Sequence, residues 1–253
     1  MLQELLELNL FAFFLIFARV GVAFSLMPGF ASGYLMMRAR LSIALAVSFL
    51  LMPVLSAELP VLPESAVAMT LLIIGEIIVG SFFGLIARVL MGALQTAGTL
   101  IAYSSGLANA MINDPVTEQQ SSTIAGFLMT TGLILVFLSD FHHLMLNAVV
   151  DSYTLFIPGT GLPVADFSNF FTKHVAQSFA LGLQIAMPSI IVGLTFNIGL
   201  GLLGRLMPAL PVFFFGLPAQ ISIQVWVFTI VLSGMMLVFL KHFQDTYSSF
   251  LSL

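Results

Sequence analysis

Residues 66–90 read AVAMTLLIIGEIIVGSFFGLIARVL, an apolar stretch whose only charged side chains are Glu76 and Arg88. A helix that crosses a bilayer needs about 20 predominantly apolar residues. Comparable apolar runs occupy residues 8–27, 41–57, 123–138, 175–203 and 217–240. These runs are too long, and alternate too little, to be the strands of a membrane barrel. The sequence therefore predicts an all-α membrane protein with about six long hydrophobic helices.

The composition excludes several classes of protein. Hydrophobic residues make up 60% of the 253 residues and charged residues only 7%, whereas a soluble domain usually carries about 25% charged residues. The formal net charge is −4 and no basic stripe is visible, so we expect no nucleic-acid partner. The chain has no cysteine, which rules out disulfides, thiolate nucleophiles and cysteine zinc sites.

The charged loops suggest an orientation in the membrane. Arginines follow the first and fifth apolar runs and lie at the end of the third, and acidic residues lie in the alternate loops. The residues are Arg38, Arg40, Arg88 and Arg205 against Glu58, Glu64, Asp140, Asp151 and Asp166. By the positive-inside rule, the arginine-bearing loops are cytoplasmic and both termini lie outside. Pro188 interrupts the fifth run and predicts a kink in that helix.

A small and polar region follows the third run. Residues 91–111 stay fairly apolar but include Gln95, Thr96 and Gly98, and a polar stretch continues to residue 122. A helix of this polarity suits an interior position, because buried polar groups cost free energy unless they are paired. Irregular backbone is tolerated at membrane depth where it lines a cavity. We interpret residues 104–122 as a plug or lumen loop, with an ordinary aqueous loop as the alternative.

No motif for catalysis or cofactor binding is recognisable. Gly199, Gly201 and Gly204 spell G-x-G-x-x-G, but the dinucleotide fingerprint needs a preceding strand and an acidic residue about 20 positions on. Here the glycines end an apolar helix. Gly193, Asn197 and Gly201 are spaced four apart, so they share one helix face and predict close helix packing. We expect no catalytic, cofactor-binding or metal-binding residues.

His142 and His143 follow Asp140 near the end of the fourth run. Adjacent residues on a helix point about 100° apart, so we expect the two imidazoles not to converge on a metal ion. No metalloprotease spacing is present. The histidines are interpreted as caps or anchors at a helix end.

Arg19 and Glu76 each lie near the middle of an apolar run. A charge at the bilayer centre costs about 2.5–3.5 kcal/mol on insertion scales, so each should have a partner or a wet surface. Their similar depth suggests that they pair with each other. The alternative is that each contacts a neighbouring subunit. Restoration of function by a charge swap would support the pairing, and failure of the swap in an inserted and assembled protein would count against it.

Taken together, the chain resembles the FliR family of flagellar export proteins and its injectisome counterparts over nearly its full length. Each segment is weakly specific, but their order and spacing are specific together. In chain order they are Arg19-Val20 before Pro28; Met37-Arg38-Ala39-Arg40-Leu41 before Pro53; Gly80, Gly84 and Thr96-Ala97-Gly98; Gly106-Leu107-Ala108 before Asp114-Pro115; His142-His143 and Asp151-Ser152; and Leu200-Gly201-Leu202-Leu203 with Arg205, Pro208, Phe213 and Gly216-Leu217-Pro218.

The resemblance implies a subunit of an export gate in the bacterial inner membrane at the flagellar basal body. Residues 1–174 would form a FliP-like helical region and residues 175–253 a FliQ-like helical hairpin. Partners would be FliP-like, FliQ-like, FlhB-like and FlhA-like components, unfolded export substrates and membrane lipid. The family's central loop contributes to a pore plug, which carries over to Gly106, Leu107, Asn109, Met111, Ile112, Asp114 and Pro115. In such gates many apolar helices pack within protein above the bilayer.

Three alternatives remain open from the sequence. An injectisome gate subunit for virulence secretion would share the same family features. A small secondary transporter would explain the mid-membrane Arg19 and Glu76, but such folds usually contain internal repeats and none is evident here. An intramembrane hydrolase would need a nucleophile and a base in a known spacing, which the sequence lacks.

Overall fold

The computed structural model describes residues 2–31, 35–55, 58–107, 111–113, 120–161, 164–207 and 212–251. The helices in this part of the chain are α1 Leu2–Leu26, α2 Met37–Leu55, α3 Ala66–Ser105, α4 Thr123–Leu138, α5 Phe141–Leu155, α6 Val164–Leu206 and α7 Val212–Leu251. Two short strands, β1 Met111–Asn113 and β2 Gln120–Ser122, lie between α3 and α4. The predicted all-α membrane class is confirmed.

Helix α3 is the centre of the fold. It packs most extensively against α6, α1 and α4, and it also contacts α5 and α7. Its buried face includes the large residues Phe83, Ile86 and Leu90. Further along the helix, α6 comes close at Ala93 and α4 comes close at Gly98. The small residues let α4 and α6 approach the helix axis, so the region that looked too polar for lipid lies inside protein.

Helix α3 continues well beyond the predicted run at residues 66–90. It ends at Gly106, which adopts a left-handed conformation with φ of 77°. The N–H of Leu107 donates to the carbonyl oxygen of Ala102 at 3.0 Å and that of Gly106 to Tyr103 at 3.4 Å. A glycine in this position satisfies the last carbonyl groups of a helix without the steric cost of a Cβ atom.

The fourth apolar run forms α4, and the chain bends sharply where α4 ends. Helices α4 and α5 meet at an angle of 73° across Ser139 and Asp140, and Asp140 has a φ of 59°, a left-handed conformation that is uncommon for a residue with a side chain. Asp140 thereby redirects the chain within three residues of the end of α4.

Four helices in the described residues are long and apolar enough to cross a membrane: Met37–Leu55, Ala66–Ser105, Val164–Leu206 and Phe214–Phe250. The bent pair α4 and α5 would make a fifth if it is one span. This number is smaller than the predicted six, because α4 reaches the length of a span only together with the bent α5. Among the described residues the apolar stretch of α1 is Leu10–Leu26, within a helix of 25 residues. The predicted boundary between residues 174 and 175 lies within α6, and α6 continues through Pro188.

Candidate functional site

Part of the predicted plug, Met111–Asn113, pairs with Gln120–Ser122 in a two-stranded ribbon between α3 and α4. Strands β1 and β2 pair antiparallel, with Met111 opposite Ser122, Ile112 opposite Ser121 and Asn113 opposite Gln120. The sequence did not predict strands in residues 104–122, since neither strand exceeds three residues. Asn109, Asp114 and Pro115 lie outside the described residues. Gly106 is exposed and Leu107 half-buried at the end of α3.

The base of this ribbon is fixed to α3 and α4. The Ser122 hydroxyl accepts a hydrogen bond from the Ala125 N–H at 3.1 Å, which caps the N-terminus of α4, and donates to the Gly98 carbonyl oxygen at 3.4 Å. A Cβ atom on Gly98 would collide with the backbone of Ala125. Gly98 therefore permits the close approach of α3 and α4 that places Ser122 between them.

The same end of α3 is also held by the hairpin of α6 and α7. The Gln220 side-chain amide donates to the Ser104 carbonyl oxygen at 2.9 Å, and the Gln224 amide donates to the Ser189 carbonyl oxygen at 2.9 Å. A Cβ atom on Gly193 would lie 2.8 Å from both the Ser104 carbonyl oxygen and the Gln224 amide nitrogen. The ribbon thus emerges from a site where three long helices meet through backbone and amide contacts.

The small-residue stripe predicted on α6, Gly193, Asn197 and Gly201, makes a close helix contact within the chain only at its first position. Gly193 makes the close contact just described. Asn197 and Gly201 are exposed, and a Cβ atom on Gly201 would meet nothing within 4 Å. The buried residues of α6 extend from Phe167 to Gly193, so the stripe is buried only at its first position.

Arg19 and Glu76 are brought together in the interior. Arg19 is fully buried and Glu76 is 2% exposed. The Arg19 Nε atom donates to Glu76 Oε2 at 2.7 Å and Nη2 donates to Oε1 at 3.0 Å, a bidentate geometry that is among the strongest side-chain pairings. Both carboxylate oxygens therefore accept from the guanidinium, and the pair joins α1 to α3.

Three further groups on and after α5 complete the environment of the guanidinium. Arg19 Nη1 donates to Ser152 Oγ at 2.9 Å, Nη2 donates to the Phe156 carbonyl oxygen at 2.9 Å, and the Tyr153 ring centroid lies 3.8 Å from Cζ. Sequence reasoning did not identify these partners. An available signal was that a buried guanidinium has five donors and a single carboxylate cannot accept from all of them.

The prediction that His142 and His143 would not converge was wrong. Their rings lie 4.1 Å apart, and one donor atom from each, together with a carboxylate oxygen of Asp140, falls within 4.8 Å of the others. Both histidines are in the first turn of α5, where no preceding turn restricts the long side chains, and His142 stacks on Phe137 of α4 at 5.0 Å. The three groups are close enough to share one divalent ion, although Asp140 and His143 are exposed.

Comparison with known proteins shows the family of this chain. The family model for bacterial export proteins, family 1, matches residues 10–246. Flagellar biosynthetic protein FliR of Caulobacter vibrioides is 35% identical over 93% of this chain and 94% of its own length. FliR of Aquifex aeolicus is 30% identical over 83% and 81%, and Yop proteins translocation protein T of Yersinia pestis is 27% identical over 88% and 86%. A match of this extent means that the chain belongs to the bacterial export proteins, family 1.

Proposed function

We propose that this chain is a core subunit of the flagellar type III protein-export gate, where it helps to form the channel that carries unfolded flagellar proteins across the inner membrane. The family match over residues 10–246 is the observation that carries the proposal. Relatives named flagellar biosynthetic protein FliR include the 35%-identical one, and the relative named Yop proteins translocation protein T is 27% identical. This difference favours the flagellar over the injectisome role.

The ribbon between α3 and α4 is the proposed plug of the channel. Its two strands pair with each other and hold no helix together, and Ser122 at its end is anchored to Gly98 of α3. Met111 and Ile112 supply adaptable apolar side chains for a seal that a sliding polypeptide displaces. Opening then requires that the open state gain contacts which the closed state lacks.

Assembly with other subunits explains the apolar surface of the α6 and α7 hairpin. Large side chains on both helices are exposed, among them Ile198 and Leu202 on α6 and Trp226 and Leu237 on α7. An apolar surface of this extent needs lipid or other protein to cover it. We propose FliP-like and FliQ-like subunits as the protein partners, with FlhB-like and FlhA-like components beyond them. The FliQ-like hairpin would then begin at Val164, where α6 begins.

The proposed mechanism needs no chemical step from this chain. Translocation requires a path, a seal and partners that supply energy, and the buried polar groups of the fold serve packing. Glu76 already accepts two hydrogen bonds from Arg19, so it offers little to a transported ion or substrate, which is a reason to place the transporter alternative second.

The first experiment is co-expression of the tagged chain with its FliP-like and FliQ-like neighbours, gentle extraction, and native mass spectrometry. We expect one complex that contains all three proteins. A stable species that contains only this chain would refute the gate proposal.

The plug is tested separately in the assembled complex. Removal of residues 112–120 should leave the complex intact but make cells leak small ions, because the seal is absent. Insertion of three glycines after Gly161, an exposed position with open space around it, is the matched control and should not cause leakage. An intact complex that does not leak after the deletion would refute the plug assignment while leaving the gate proposal in place.

A further inference from the structure

A groove of about 650 Å³ runs between α1, α2 and α3 on the outside of the chain. The wall formed by α1 consists of residues spaced at three and four positions, so it follows one face of that helix from Phe14 to Ser25. At 1.5 Å per residue this face is about 16 Å long. The hydrocarbon core of one leaflet is about 15 Å thick, half of the bilayer value.

The sequence forms the groove by placing small residues at its floor and large ones at its rim. Ala18, Gly21 and Ala44 leave space between the helices, while Phe14 and Leu41 are about half exposed beside them. A Cβ atom on Gly21 would make only ordinary contacts, at 3.5 Å and more from the Phe17 ring. The space at the floor is therefore available to an occupant.

One charged residue lines this apolar groove. Arg40 of α2 is half-buried in its wall, and Arg38 is exposed two residues earlier. Among the described residues, neither guanidinium forms an ion pair with a carboxylate. A guanidinium binds a phosphate group through paired N–H donors, and basic pockets between membrane helices on the cytoplasmic side bind anionic lipid head groups. The positive-inside rule predicts that this loop is cytoplasmic.

We propose that the groove binds an anionic phospholipid, with one acyl chain along α1 and the head-group phosphate on Arg40. An acyl chain matches the length and the apolar walls of the groove, and the phosphate matches its single cation. A zwitterionic lipid would bring a positive group next to Arg40 and Arg38, so anionic lipids are preferred. The site is separate from the ribbon and from the Arg19–Glu76 pair, and it does not depend on the gate function.

The test uses the full-length chain purified in detergent and native mass spectrometry with added dioleoylphosphatidylglycerol or dioleoylphosphatidylcholine. The wild-type chain should retain one phosphatidylglycerol at least about fivefold more tightly than phosphatidylcholine, the ratio expected for one arginine near an anionic head group. Arg40→Gln should abolish this preference. Arg88→Gln, at an exposed arginine of α3 outside the groove, should keep it.

A second pair of variants tests the apolar part of the site. Gly21→Phe fills the groove and should release both lipids, whereas Gly234→Phe, at an exposed glycine of α7 with nothing within 4 Å, should behave as wild type. Equal retention of the two lipids by the wild-type chain, unchanged preference in Arg40→Gln, or unchanged retention in Gly21→Phe would each overturn the proposal.

A photo-reactive amino acid in place of Phe14 distinguishes a lipid in the groove from a neighbouring protein subunit. In membranes that contain the partner subunits it should cross-link to phospholipid. A cross-link to another protein would overturn the lipid assignment and identify the groove as a subunit interface.

Discussion

Replacement of Glu76 by Met should be among the most destabilising single substitutions in this chain. It removes both hydrogen bonds that balance the charge of Arg19, at 2.7 and 3.0 Å. Ser152 Oγ, the Phe156 carbonyl oxygen and the Tyr153 ring remain around the guanidinium, but none of them carries a negative charge. Removal of one partner from a buried ion pair costs about 3–5 kcal/mol, because it leaves the other charge uncompensated.

The double substitution separates the cost of an unpaired buried charge from the cost of removing the two side chains. Arg19→Met alone should cost at least as much as Glu76→Met, since it also removes the bonds to Ser152 and Phe156. The double variant with Met at both positions should recover most of the loss, because replacement of a buried pair by apolar residues of similar volume is often neutral or stabilising by about 1–4 kcal/mol.

The assay is equilibrium unfolding of the purified chain in mixed micelles titrated with sodium dodecyl sulfate. Glu58→Met, at an exposed residue between α2 and α3, is the control and should change the free energy of unfolding by no more than about 0.5 kcal/mol. Equal stability of Glu76→Met and this control, or a double variant less stable than both single variants, would refute the reasoning.

The remaining predictions use the same assay. Gly80→Ala should destabilise the chain by more than about 1 kcal/mol, because the new methyl group would collide with the backbone of α1; Gly234→Ala, in open space on α7, should instead stabilise it by up to about 1 kcal/mol through higher helix propensity. Ser122→Ala should cost about 1 kcal/mol through loss of the α4 cap, and Ser122→Thr, whose hydroxyl can both accept from Ala125 and donate to Gly98, should retain most of that stability. Gln220→Leu should cost about 1–3 kcal/mol because the Ser104 carbonyl oxygen loses its amide donor, with Ser222→Ala on the exposed face of α7 as the neutral control.

The structure also changes how a charge swap between Arg19 and Glu76 should be read. In the swapped variant the carboxylate at position 19 would face the Phe156 carbonyl oxygen, which now accepts a hydrogen bond from the guanidinium. Two acceptors would then face each other in the interior, and a buried polar group without a partner is costly. Failure of the swap to restore function therefore carries no weight against the pairing, and the apolar double variant is the sharper test.

The helices could be predicted from the sequence because their signals are local. Apolar runs of about 20 residues or more indicate membrane helices. No proline follows residue 90 until Pro115, so nothing in the sequence ends the third helix there. The bend at Asp140 and the ribbon at residues 111–122 could not be predicted in the same way. The bend depends on a left-handed aspartate, and each strand is only three residues long, below the length at which periodicity is informative.

The candidate site was predictable only where its chemistry forces a partner. An arginine and a glutamate in the middle of apolar runs each cost free energy unless the charge is compensated. Because they lie at similar depth, pairing with each other is the simplest compensation. The contacts of Ser152 and Tyr153 with Arg19 depend on the direction that α5 takes after the bend at Asp140. That direction is set by tertiary packing and cannot be predicted from local sequence. The histidines were misjudged for the related reason that a helix wheel describes Cβ directions and not where long side chains end in a first turn.

The lengths of the helices constrain how the chain can sit in a bilayer. Helix α3 has 40 residues and is therefore about 60 Å long, whereas the hydrocarbon core is about 30 Å thick. Even at the upper tilt of about 40°, α3 would extend about 46 Å along the membrane normal. Its first 25 residues include the apolar run, and its last part carries Gln95, Thr96 and Ser104. Because that last part is covered by α4, α6 and α7, it does not need lipid around it. The ribbon at its end then lies outside the hydrocarbon core or within protein, which is where irregular backbone is tolerated.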